Sequence, residues 1–127
     1  MMLDLDDFKR INDTHGHVVG DQTLLAVADL LRHLLPPTAA ICRAGGEEFL
    51  IALTSVNMDV TSLAARLCAG IARITPRVTA SIGTASAELH RVSGPGGAAC
   101  LIDRLVRLAD SAMYVAKRNG GNQARQA

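Results

Sequence analysis

Residues 41–53, ICRAGGEEFLIAL, set two glycines and two glutamates between apolar runs, and no other stretch constrains the fold as tightly. "AAICR" and "EFLIAL" have the composition and length of strands, and Ala44, Gly45 and Gly46 between them read as the turn of a hairpin. A hairpin makes its two strands antiparallel, which favours a mixed or antiparallel sheet. The stretch also raises a chemical question. Glu47 and Glu48 stand at the mouth of an apolar strand, where carboxylates are costly unless something balances them.

The rest of the chain supplies helices to cover such a sheet. "MMLDL" reads as an opening strand with no turn or capping signal before it, as in a chain that begins inside a larger fold. "FKRIND" reads as a short helical turn and "THGHVVG" as a loop. Residues 21–35, DQTLLAVADLLRHLL, place Leu24, Ala28, Leu31 and Leu35 at helical spacing before Pro36 and Pro37 end the run. A second helix near 60–74 aligns Leu63, Leu67, Ile71 and Ile74. "RVTASIGTAS" alternates Val78, Ala80 and Ile82 with Thr79 and Ser81, the pattern of a half-buried strand. Residues 91–99 read as a loop. A last helix near 100–118 uses Leu101, Leu105, Leu108, Ala112 and Val115, and Gly120 and Gly121 close it. The order β-α-α-β-β-α-β-α describes one α/β sandwich over residues 1–127, without repeats or an interdomain linker.

Composition removes several functions. With two Phe, one Tyr and no Trp, the chain lacks the aromatic rows on which single-stranded nucleic acid stacks. A net charge of +1 gives no basic field for DNA or anionic lipid, so an anionic ligand must be held locally. Cys42, Cys68 and Cys100 form no CxxC pair, which argues against a zinc site or disulfide framework and fits a reducing cytoplasm. Asp4, Asp6 and Asp7 interrupt the N-terminal apolar run, so no signal peptide is expected there, and no stretch reaches the ~20 apolar residues of a membrane span.

Asp4 lies within an apolar strand and Glu47 at the entry of another. If those strand ends are neighbours, two carboxylates converge, and Mg²⁺, which takes oxygen ligands and shares them with phosphates, is the natural counter-charge. Strand alternation sends Glu47 and Glu48 to opposite faces, so only one is expected to join Asp4 at a metal. The alternative for each acid is a solvated strand end. Asn12 and Asp21 flank a glycine-containing loop. A carboxylate accepts from N1 and N2 of guanine and an amide pairs with its remaining edge, a pattern adenine would leave unpaired at a discrimination of up to ~10⁴. Asp21 equally suits a helix N-cap and Asn12 a turn. Lys117 and Arg118 fall in the last turn of a helix, where cations complement the dipole, and Lys9 is placed to reach a phosphate or simply to face solvent.

Four blocks then carry a resemblance. LDLDDFKRINDTHGHVVGDQTL (3–24), RAGGEEF (43–49), VTASIG (78–83) and ADSAMYVAKRNGGN (109–122) together resemble the GGDEF domain family of diguanylate cyclases, in that family's order and spacing. The resemblance implies a ferredoxin-like core related to nucleotidyl cyclases and polymerase palms, and condensation of two GTP into cyclic di-GMP with release of two pyrophosphates. It implies Asp4, the Leu5 carbonyl and Glu47 as ligands of Mg²⁺, two ions per site, with Mn²⁺ as a substitute. Glu47 would also assist deprotonation of the ribose 3′-hydroxyl and Glu48 would support the site. Gly45 and Gly46 would admit the nucleotide, Asn12 and Asp21 would read guanine, and His17 would lie near the ribose. Lys117, with Arg118, would meet the terminal phosphates, and Lys9 would stabilise charge during transfer. Each domain would hold one GTP, so catalysis would need a homodimer, governed by an upstream sensor or receiver domain, without nucleic acid or direct membrane contact.

The chain departs from the family pattern in three places. The usual N-terminal segment with a DxLTGLxNR-like motif is absent, as expected of a fragment of a longer signalling protein. The RxxD of the allosteric product site is replaced by Pro36 and Ala39, so product inhibition would act at the GTP site. Gly121 stands where an arginine is usual, a loss of one charge-assisted bond worth ~1.5–3 kcal/mol. A catalytically impaired domain that binds GTP or cyclic di-GMP is the alternative function, and a purely structural dimerisation module is a third.

Overall fold

A computed structural model describes residues 1–54, 58–88 and 96–127. The strands are β1 (Met2–Asp6), β2 (Ala40–Arg43), β3 (Glu48–Ala52), β4 (Thr79–Thr84) and β5 (Gln123–Gln126). The helices are α1 (Phe8–His15), α2 (His17–Leu34), α3 (Val60–Ile71) and α4 (Gly97–Arg118). The sheet order is β2-β3-β1-β4-β5. The first four strands pair antiparallel, and β5 joins β4 in parallel. This is the expected ferredoxin-like sandwich with one further strand at its edge.

Alternation along the central strands builds two cores. Leu3, Leu5, Phe49, Ile51, Ala80 and Ile82 face α1, α2 and α3, which bury Phe8, Ile11, Leu24, Val27, Leu31, Leu63, Leu67 and Ile71 against them. Met2 faces the other way, onto Ala109 and Met113 of α4, with Leu50 packed alongside. Gly83 is what lets α4 lie so close: a Cβ there would run into the Ala109 carbonyl and the Met113 amide nitrogen.

Several boundaries differ from the sequence reading. The expected loop at 14–20 shrinks to Gly16, whose φ of 85° breaks the backbone between α1 and α2. Thr14 and His15 finish α1, and α2 starts at His17 instead of Asp21. The expected helix to residue 74 stops at Ile71. The loop expected at 91–99 lies outside the described residues over 91–95, and Gly97 already begins α4. That helix buries Ala109, Ala112, Met113 and Ala116, while Leu108 and Val115, expected inside, are exposed. Small alanines permit the close approach to Gly83, so the helix turns its small side to the sheet and its larger residues outward.

Candidate active site

The turn after β2 sets the site. The Arg43 guanidinium donates to the Gly46 carbonyl through Nε at 3.0 Å and Nη2 at 2.6 Å, and the Ala44 amide donates to the Glu48 carbonyl at 2.9 Å. The Leu5 amide donates to the Glu47 carbonyl at 3.2 Å, which fastens this turn beside the end of β1. The two strand ends are therefore neighbours, as the acid pattern requires.

Register decides which glutamate shares a face with Asp4. Asp4 is paired with Glu48, so these two share the α4 face. Glu47 lies in the turn before β3 begins, where strand alternation no longer dictates its direction. Its carboxylate still adds to the field at Lys117. Gly45 makes room chiefly for Glu48, whose Oε2 a Cβ at Gly45 would strike; the space above Gly46 is open.

Asp4 is buried at 5% exposure, and its Oδ1 lies 2.7 Å from the Lys117 ammonium. That contact is an ion pair, and Oδ1 has no other hydrogen-bond partner among the described residues. Partial burial opposes the charged lysine. The contact with the Asp4 carboxylate outweighs it, with the Glu47 and Asp6 charges adding, and holds the Lys117 ammonium above the usual lysine range. A cleft of about 520 Å³ opens here between α4 and the β1–β3 pair, lined by Asp4, Glu48, Lys117 and Tyr114 among others.

The base-reading candidates lie on α1 and α2, on either side of Gly16. Asn12, on α1, lays its side chain against Gly20 of α2, where a Cβ would collide with Asn12 Oδ1. Asp21 follows Gly20 and is exposed. Because α2 begins four residues earlier, Asp21 is not its N-cap. His17 opens α2 and Lys9 lies in the first turn of α1, both exposed. Arg118 stands 6.0 Å from the centre of the ring of Tyr114, which itself lines the cleft.

Asp6 escaped the sequence reading. It is half-buried on the face that carries Met2 and Asp4, and the signal for it was the DxD spacing on a period-2 strand. Among the described residues no three His, Cys, Asp or Glu side chains form a ready metal cage. That suits Mg²⁺, which is commonly held by one or two carboxylates with phosphates completing its sphere. A buried carboxylate oxygen whose charge partner among the described residues is the part-exposed Lys117 ammonium fits such an ion.

The family profile described as "Diguanylate cyclase, GGDEF domain" matches residues 1–123. The chain belongs to the GGDEF family. It is 36% identical to diguanylate cyclase DgcM of Escherichia coli (strain K12) and 33% identical to probable diguanylate cyclase DgcT of the same organism, with 97% of the chain covered in each comparison. The chain spans only 29% and 28% of those relatives' lengths. Among solved structures, the active GGEEF domain of a diguanylate cyclase from Vibrio cholerae superposes with a TM-score of 0.83 at 29% identity, covering 98% of this chain and 79% of that one. The GGDEF domain of DgcB from Caulobacter crescentus, solved in complex with c-di-GMP, gives 0.78 at 29% identity over 98% and 74%.

Proposed function

We propose that this GGDEF domain is a diguanylate cyclase that joins two GTP molecules into cyclic di-GMP and releases two pyrophosphates. The observation that carries the reading is the buried Asp4 carboxylate, balanced among the described residues by Lys117, where β1 meets the glycine turn. Asp4, the Leu5 carbonyl and Glu47 would hold Mg²⁺, or Mn²⁺ in its place, with two ions per site. Bound there, the ions supply charge neutralisation at the phosphates and acidify the 3′-hydroxyl. Glu47 accepts the proton of that hydroxyl. A bond forms from O3′ to the α-phosphorus of the facing GTP as the bond to pyrophosphate breaks. Glu48 supports the carboxylate cluster across from Asp4.

Asn12 and Asp21 read the guanine edge from the α1–α2 corner, and His17 lies by the ribose. Gly45 and Gly46 keep the turn low enough for the nucleotide to pass. Lys117 binds the terminal phosphates, a contact that competes with its pair to Asp4, and Arg118 and Lys9 add positive charge around the transfer. One chain holds one GTP, so ring closure needs two chains facing antiparallel, and an upstream sensor or receiver module would act by controlling that encounter. The site of action is the cytoplasm, without nucleic acid or membrane contact; among the described residues no helix is long and apolar enough to cross a membrane. With Pro36 and Ala39 in place of RxxD, cyclic di-GMP inhibits by occupying the GTP site, so saturating GTP relieves it.

Gly121 favours a second reading, a domain that binds GTP or cyclic di-GMP without turnover. The backbone there packs against Asp6 and carries no cation to the phosphates. Fusing the chain to a dimerising coiled coil and supplying Mg²⁺ and GTP separates the two. Cyclic di-GMP and pyrophosphate in a one-to-two ratio support the cyclase; bound GTP with no cyclic product supports the regulator.

A further inference from the structure

We propose that Asp6 is a positioning residue for Lys117, fixing where its ammonium meets the phosphates. The inference rests on the reading of Lys117 as the triphosphate contact. Asp6 is two residues along β1 from Asp4, on the same face. Its Oδ2 accepts from Thr79 Oγ1 at 2.7 Å and from the Asn122 amide at 2.8 Å, and its Oδ1 accepts from Ser81 Oγ at 2.7 Å. One carboxylate thus ties β1, β4 and the segment after α4 together.

That segment is rigidly joined to Lys117. The Gly121 amide donates to the Ala116 carbonyl at 3.1 Å and the Gly120 amide to the Lys117 carbonyl at 3.2 Å, the paired bonds of a Schellman ending. Gly120 and Gly121 take φ of 101° and 69° to make it. Pinning Asn122 therefore sets the last turn of α4, and with it the root of the Lys117 side chain. Gly121 is part of the device: a Cβ there would lie 2.7–2.9 Å from the Asp6 carboxylate atoms. The alternate residues of β1 hold the two ends of one unit, Asp4 by the lysine tip and Asp6 by the backbone beyond it.

The test is equilibrium binding, with Mg²⁺ present and no turnover required. GTP and GMP affinities are measured for wild type, Asp6→Asn, Lys117→Ala and the double variant; the ratio of the two affinities isolates contacts to the outer phosphates. Asp6→Asn is expected to lower the GTP-over-GMP preference about tenfold, the scale of one misplaced charge-assisted bond, and to leave GMP affinity within about twofold. In the Lys117→Ala background the same change should alter the preference by less than about twofold, because Asp6 acts through the lysine. Thr79→Val, which removes one donor and keeps the shape, should give a smaller loss of the same kind if Asp6→Asn folds poorly. Equal weakening of GTP and GMP, or an undiminished effect without Lys117, overturns the proposal. A preference that depends on Lys117 and ignores both Asp6→Asn and Thr79→Val overturns it while sparing the proposed function. Wild type with no preference overturns both.

Discussion

Removing one or the other member of the Asp4–Lys117 pair should have unequal consequences for stability. At 2.7 Å the attraction is about 6 kcal/mol at an effective dielectric constant near 20 and about 1.5 kcal/mol in bulk water. The lysine side chain is 39% exposed and the carboxylate 7%, so the pair lies between those limits. Burying a carboxylate costs several kcal/mol, which the pair roughly offsets. Asp4→Asn removes both the attraction and the penalty and should change stability by less than ~1 kcal/mol. Lys117→Met leaves an uncompensated buried carboxylate and should cost ~2–3 kcal/mol, discounted for the exposed lysine. In a chain of this size that is a fall of about 6–12 °C in Tm, read by circular dichroism at pH 7 in excess chelator. Adding Mg²⁺ should then raise the Tm of Lys117→Met more than that of wild type, since the ion meets a carboxylate with no lysine to displace, and leave Asp4→Asn unmoved. If Asp4→Asn loses as much stability as Lys117→Met, the carboxylate is a structural anchor and not a ligand site.

Asp21→Ala should erode GTP-over-ATP selectivity and leave Tm within about 1 °C, because an exposed residue inside α2 caps nothing; competition titration and a melt check both halves. Gly83→Ala should cost ~1–3 kcal/mol or more, since α4 cannot yield its backbone, and a denaturant midpoint would show it. Alkaline pH should loosen the fold. Burial pushes the Cys68 thiol up to about 11, with the Asp6 charge adding, so the folded state keeps a proton that the unfolded chain releases from about pH 9. The raised Lys117 works in the same direction above about pH 10. Stability from both is present below those unfolded values and lost as pH rises through the folded ones. Cys68→Ala should flatten the fall between pH 9 and 11, and an unchanged slope would remove the thiol from the account.

The strands that build the site were legible because the apolar runs on either side of Gly45 and Gly46, and at the N-terminus, are short and bounded by polar turns. What failed did so for local reasons. Gly16 alone breaks the α1–α2 run, so counting His17, Val18 and Gly20 as loop moved the start of α2 and made Asp21 resemble a cap. Glu47 was assigned a strand face, yet β3 begins at Glu48, and register with Asp4 then decides which glutamate shares its side. β5, with the sequence QARQ, has no strand signal of its own; pairing with β4 makes it. For α4 the large residues suggested the buried side, whereas the approach to Gly83 selects alanines. Asp6 was readable only as the second acid of a DxD step, and its three partners come from β4 and from beyond α4, contacts no local pattern encodes.

A crystal grown with a non-hydrolysable GTP analogue and Mn²⁺ locates the ion, because the metal's anomalous signal marks its place. The expected result is a peak within bonding distance of an Asp4 carboxylate oxygen and of the Glu47 side of the turn, Lys117 swung onto the phosphates, and guanine between Asn12 and Asp21. A metal elsewhere, or nucleotide bound while Lys117 still grips Asp4, would contradict it.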